Sequence, residues 1–166
     1  PPISTLFPYT TLFRSTLGAF ATGVTVVTAL DASGQPIGMT ISSFNSVSLD
    51  PPLILWSLSK ASPSLTAFKA ASHYSVNVLA ANQQALSDRF ASRIENRFDG
   101  VPTHAGIDGL PLLDGCCAWF ECHNEIRHEG GDHLIFVGRV ERFTPGEEKL
   151  PLVFHGGRYR ELAVVF

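Results

Sequence analysis

The chain has no apolar run approaching the about 20 residues that a membrane-spanning helix needs, and no apolar stretch behind a charged start, as a secretory leader would show. Both absences make the cytoplasm the expected compartment and count against a membrane partner. Charge is scarce as well: Asp, Glu, Lys and Arg make up 16% of the 166 residues, the net charge is −3, and no basic cluster stands out. A chain of this kind lacks the electrostatic footprint of a nucleic-acid binder. There are three cysteines, Cys116, Cys117 and Cys122, odd in number and clustered, which is no disulfide framework. They also make a poor metal site. In the extended strand that CCAWFECHNEIRH implies, Cys116 and Cys117 point to opposite faces, and Cys117 and His123 share a face about 20 Å apart. With no CxxC or HxxxH pair, buried thiols are the expectation. GxGxxG is missing too, which excludes a separate dinucleotide-binding half. No catalytic triad or paired carboxylates emerge from the pattern.

Hydrophobic residues reach 45% of the sequence. A chain of this length and composition folds as one domain that buries roughly two-thirds of its unfolded surface. Its low charge fits a surface partly covered by a second subunit. Residues 1–15, PPISTLFPYTTLFRS, stand apart from the rest. The triplet TLF occurs twice, at Thr5–Phe7 and Thr11–Phe13, with Pro8 interrupting any helical or strand period. The segment resembles a translated sequencing-adapter fragment, so the expected domain is 16–166.

The remaining pattern is strand-rich. A short leading helix is expected over Thr16–Thr22, closed by Gly23, then a strand over Val24–Leu30, a turn at Asp31–Gly34 and a returning strand over Ile37–Phe44. Val47–Leu49 ends at the Asp50-Pro51-Pro52 break, and Leu53–Leu58 is apolar on both faces, as a central barrel strand would be. Ser62-Pro63 has the composition of a helix start. Ser75–Leu79 predicts a strand and Asn82–Ala91 a helix. Residues 92–115, rich in Gly and Pro, predict a long irregular loop. Ala118–Arg127 and Leu134–Phe143 then pair as long strands around a loop at His128–Asp132, and Leu152–Tyr159 forms a short final strand. A mainly β fold follows, a small antiparallel Greek-key barrel with helical inserts.

Two polar clusters fall at strand ends. The first is Thr40, Ser42, Ser43, Ser46 and Ser48; the second is Ser57, Ser59, Lys60, Ala61, Ser62, Pro63 and Ser64. Hydroxyls at a strand end satisfy local backbone groups, and that accounts for the first cluster taken alone. Followed by a second cluster with a lysine and a helix start, which together suit an anion, the pair also fits a flat cofactor bearing a phosphate.

Three blocks, FATGVTVVT, GMTISSFNSVSLDPPLI and GDHLIFVGRVE, resemble in order and spacing those of the flavin reductase family, which has the FMN-binding split-barrel fold. The resemblance runs from Thr16 to about Leu162. It implies an NAD(P)H-dependent enzyme that reduces FMN or FAD by hydride transfer to the flavin N5. It also implies a homodimer with the flavin near the subunit interface, and a partner monooxygenase that receives the reduced flavin. By the same resemblance Thr40, Ile41, Ser42 and Ser43 contact the isoalloxazine, and Ser57, Ser59, Lys60, Ala61, Ser62 and Ser64 contact the ribityl chain and phosphate. His133 borders the nicotinamide of NADH or NADPH, with Asp132 orienting its ring. Arg89, Phe90 and Arg97 occupy positions of cofactor-phosphate or dinucleotide contacts. Without the resemblance, His133 reads as an exposed histidine after a Gly-Gly turn. His155 departs from the family pattern, in which an aromatic residue or arginine is common. A non-enzymatic FMN-binding electron carrier on the same barrel is the alternative function.

Overall fold

The computed structural model describes residues 6–163. Its main sheet holds seven strands: β2 (Thr25–Leu30), β3 (Pro36–Ile41), β4 (Asn45–Leu49), β5 (Pro52–Ser59), β6 (His73–Val78), β9 (Ala118–Gly130) and β10 (His133–Pro145). Their order is β3-β2-β6-β9-β10-β5-β4, and every pairing is antiparallel. The edge strands β3 and β4 are consecutive in the chain and joined by only Ser42, Ser43 and Phe44. In a flat sheet those edges would stand about 29 Å apart, whereas four residue steps reach at most about 14 Å. The sheet therefore curls on itself into a barrel. No strand pairing closes the β3–β4 seam, and the Ser43 hydroxyl accepts the Ser57 N–H at 2.9 Å just beyond the β4–β5 pairing.

Alternation along the strands divides the core in two. Val27, Ile54, Trp56, Leu58, Tyr74, Val76 and Phe136 face one way, with Trp56 stacked on Phe136 at a centroid distance of 4.4 Å. Val24, Val26, Leu79, Phe90, Leu113 and Leu152 face the other way. This second cluster packs beneath α3 (Gln84–Ala91). Strand β2 is buried on both faces, which explains its continuous β-branched run.

Several local expectations change. The leading helix is α1, Leu6–Leu17, not Thr16–Thr22. Pro8 lies in its first turn, where the missing N–H has no intrahelical partner to lose. Thr22–Gly23 is instead a two-residue strand, β1, paired with β11 (Val153–His155). Helix α2 spans Leu65–Ala70 and starts two residues later than Ser62-Pro63 predicts. The Ser62 carbonyl accepts the Leu65 N–H in a turn that precedes the helix, and Ser64 takes the N-cap position without a side-chain cap bond.

Residues 92–115 are more ordered than an irregular loop. They contain a small hairpin, β7 (Thr103–Ala105) with β8 (Pro111–Leu113). Buried polar groups of the barrel anchor it: the Thr28 hydroxyl donates to the Pro111 carbonyl, and the Leu113 N–H donates to Asn77 Oδ1. The β9–β10 connection is tighter than expected, with Gly130 paired to His133 across Gly131-Asp132. The C-terminal strand is a hairpin, β11 with β12 (Arg158–Arg160), turning at Gly156-Gly157, both with positive φ.

Candidate active site

Three strand ends meet at one end of the barrel. β3 finishes at Ile41 and runs into Ser42 and Ser43, β5 finishes at Ser57–Ser59, and β10 begins at His133 directly opposite Ser59. Ser42 and Ser43 fall at the seam, between the end of β3 and the start of β4. The end of α3 closes the opposite wall. Between these elements lies an open cavity of about 820 Å³, within the range of small-molecule sites.

The cavity brings together Thr40, Ile41, Ser42, Ser43, Ser57, Ser59, Ala61, Ser62, Arg97 and His133 from the sequence analysis. The Thr40 hydroxyl is committed to the Ser87 carbonyl at 2.7 Å, so it braces the wall between β3 and α3. The Ser43 hydroxyl also donates to the Ser57 carbonyl at 3.2 Å, locking two walls to one another. Arg97 donates through one terminal nitrogen to the Gly38 carbonyl at 2.9 Å and through the other to the Ser92 carbonyl at 2.5 Å. Each of those nitrogens keeps a second N–H. His133 Nδ1 lies 2.8 Å from Asp132 Oδ1. A carboxylate only accepts, so the proton sits on Nδ1 and Nε2 is the atom left for a ligand. The same hydrogen bond holds the Asp132 carboxyl below its usual range.

Four of the expected residues lie elsewhere. Lys60 forms an ion pair with Glu129 on β9, and its N–H donates to the Asp132 carbonyl at 2.9 Å; it ties the hairpin tip to β5. Ser64 lines a neighbouring cleft. The Arg89 side chain donates to the carbonyls of Arg97, Asn96 and Asp99 at 2.6–3.1 Å, stapling the segment after α3. Phe90 is buried against Gly38 and Phe98. Sequence reasoning missed Met39, Ser92 and Arg93, which complete the walls. A β-strand puts alternate residues on one face, which offered a signal for Met39. Arg93 and Ser92 follow the end of a helix, and no sequence period reaches them.

The donor set is chemically divided. Hydroxyl-bearing residues from β3, β5 and the stretches that follow them line the cavity together with two arginines, Arg93 and Arg97, from the segment after α3. No carboxylate lines the cavity among the described residues. A ring with a hydrogen-bonding edge fits the hydroxyl-bearing residues, and an anionic tail fits the arginines. This is the donor chemistry of a flavin nucleotide.

Residues 17–163 match the family model described as "Flavin reductase like domain". The chain belongs to this family. It is 48% identical over 147 residues to the FMN reductase (NADH) SmoA of Agrobacterium fabrum, covering 89% of this chain and 83% of that protein. It is 41% identical over 147 residues to the flavin-dependent monooxygenase reductase subunit HsaB of Rhodococcus jostii, covering 89% and 75% of the two chains. Among solved structures, the Streptomyces globisporus NADH:FAD oxidoreductase SgcE6, in complex with NAD and FAD fragments, superposes with a TM-score of 0.86 at 39% identity, covering 91% of each chain. Some relatives are longer, and the chain spans 42% of a probable flavin reductase of Rhizobium meliloti. The mainly β architecture is thus that of the flavin reductase split barrel. Among the described residues no helix is long and apolar enough to cross a membrane, and no cluster of three metal-ligating side chains occurs.

Proposed function

We infer that this flavin reductase-like domain catalyses the reduction of a flavin by NADH or NADPH in the cavity between β3, β5 and α3. The observation that carries the reading is a single cavity lined by serine and threonine residues and by Arg93 and Arg97, with no carboxylate among its lining residues. The bound cofactors supply the redox chemistry, a hydride passing from the nicotinamide C4 to the flavin N5. The protein's task is to hold two rings at contact distance. The Ser42 and Ser57 hydroxyls meet the polar edge of the flavin ring, and the Ser43 hydroxyl, bonded to the Ser57 backbone, holds that wall in place. Arg93, Arg97 and Ser62 hold the phosphate. His133, its tautomer set by Asp132, borders the nicotinamide from the start of β10. The cavity is open on one side, which lets a pyridine nucleotide reach a seated flavin and lets reduced flavin leave.

The protein's partner is a monooxygenase that consumes reduced flavin, a reading supported by the relative that serves as a monooxygenase reductase subunit. The working form is a homodimer in the cytoplasm; three unpaired cysteines suit a reducing compartment. Residues 16–166 form its flavin reductase-like domain.

Steady-state oxidation of NADH with added FMN or FAD tests the activity. Turnover that rises with the concentration of free flavin is expected, whereas a bound electron carrier would show none. His133→Ala should leave oxidised flavin bound as before. It should raise the KM for the pyridine nucleotide, or slow stopped-flow flavin reduction, by roughly tenfold through loss of ring alignment. Wild-type behaviour at both limiting and saturating NADH removes His133 from the site.

A further inference from the structure

The C-terminal hairpin, β11 with β12, adjoins the wall of the cavity. A cleft of about 200 Å³ is lined by Phe154 and Tyr159 of this hairpin together with Thr40, Ile41 and Ser42, three residues that also line the larger cavity. The hairpin is itself held in place. β11 pairs with β1, the Gly156 N–H donates to the Gly18 carbonyl at 2.8 Å, and the Phe154 and Tyr159 rings meet edge to face at a centroid distance of 5.4 Å. From that base Tyr159 reaches α3. Its hydroxyl lies 2.8 Å from the Ser87 hydroxyl and 2.8 Å from Asp88 Oδ1. A carboxylate only accepts, so Tyr159 donates to Asp88 and the Ser87 hydroxyl donates to Tyr159. Burial holds the Tyr159 phenol above its usual range, which keeps it a donor at neutral pH. Ser87 is fully buried, and its carbonyl is the group that accepts the Thr40 hydroxyl.

We propose that Tyr159 is a positioning residue for the flavin, acting through Ser87 to hold Thr40 and the β3 wall against α3. The inference rests on the reading of the larger cavity as the flavin site. Tyr159 is not among the residues that line that cavity, so its effect passes through the two hydrogen bonds at Ser87. α3 has eight residues, too few for a helix to be stable by itself, and its seat on β3 depends on tertiary contacts. The Phe90 ring at Gly38 is one of them. The Tyr159–Ser87 bond adds another, on the turn whose carbonyl holds Thr40. Cutting that bond leaves a buried hydroxyl without its partner and frees the turn to move, and Thr40 moves with it. His133 stands on β10, outside this chain of bonds, so use of the pyridine nucleotide is not affected.

Fluorescence titration of the whole protein with FMN and with FAD, in a double-mutant cycle of Tyr159→Phe and Thr40→Val, tests this. Each single change is expected to weaken flavin binding about fivefold, and the double variant to bind no more weakly than either, because both break one chain of bonds. The KM for NADH at saturating flavin is expected to keep its wild-type value. Flavin binding left intact by Tyr159→Phe, even with a lowered melting temperature, makes the hydroxyl merely structural and overturns the proposal. Losses that multiply in the double variant overturn it too, since Tyr159 would then act independently of Thr40. If the wild type binds neither flavin, the reading of the cavity fails, and the role of Tyr159 with it. Where thermal melting shows that Tyr159→Phe disturbs folding, Ser87→Ala takes its place in the cycle, because it cuts the same bond from the helix side and keeps the carbonyl. A loss of about the same size that disappears in the Thr40→Val background supports the chain of bonds, and unchanged flavin binding refutes it.

Discussion

Two arginines eight residues apart illustrate how little residue type says about role. Arg89 spends its donors on the carbonyls of Asn96, Arg97 and Asp99, and Arg97, bonded to the Gly38 and Ser92 carbonyls, lines the cavity. The first makes the second possible, since the segment that presents Arg97 is the one that Arg89 staples. Lys60 is similar: a charge well placed in sequence for a phosphate is engaged by Glu129 instead. The cysteines follow from burial. Cys116 is enclosed, and its thiol is pushed up to about 12, chiefly by desolvation. Burial raises Cys122 as well, and the same cause raises the partly exposed Cys117. Raised values keep all three protonated at neutral pH, so they are poor nucleophiles. Titration of the native protein with a thiol reagent at neutral pH should therefore release Cys117 slowly and the other two only after unfolding. Rapid reaction of all three would show that the buried pair is open to solvent.

At the scale of elements, the site depends on how closely α3 approaches β3. The contact is possible because Gly38 has no side chain: a Cβ there would lie 2.7 Å from the buried Phe90 ring and 3.1 Å from Phe98. Phe90 is 1% exposed and has no room to swing away. Gly38→Ala should destabilise the protein by roughly 1–3 kcal/mol through overpacking and disturb the Gly38 carbonyl that Arg97 uses. Gly23→Ala, whose Cβ would meet nothing within 4 Å, should stay within about 0.5 kcal/mol. Urea unfolding of the two variants checks the contrast, and equal stability of both would mean that α3 shifts freely. The β9–β10 hairpin is the other decisive element, because its two-residue turn sets His133 opposite Ser59 and beside the cavity.

At the scale of the whole molecule, the barrel leaves apolar side chains on its outside. Leu49 on the edge strand β4 is 94% exposed and Phe143 on β10 is 71% exposed. Such residues are costly to leave in water when they cluster, and a second copy of the chain would cover them. Sedimentation at micromolar concentration should give twice the 18.0 kDa mass of one chain, with Leu49→Lys and Phe143→Lys together shifting the population toward monomer. A wild-type protein that sediments only as an 18.0 kDa species would dispose of the dimer.

What the sequence determined by itself was whatever depends on neighbours along the chain. Strands β2, β5, β6, β9 and β10 were legible because their period of two, their β-branched residues and the turns between them are local features. The blocks around Thr40–Ser43, Ser57–Ser62 and Gly131–His133 were legible for the same reason, and the cavity collects most of them. Only the tertiary structure decided which face of each segment meets the others. The β7–β8 hairpin has strands of three residues, too short for a period to appear, and is held by Thr28 and Asn77 from strands far away in sequence. The pairing of Lys60 with Glu129 spans 69 positions, so no local pattern could have withdrawn it from the site. Phe90 did not enter the cavity, because α3 packs it against Gly38 and that contact sets the rotation of the helix, while Arg93, beyond the helix end, did. Helix rotation is chosen by packing energy summed over the whole barrel, a quantity that no single stretch of sequence contains.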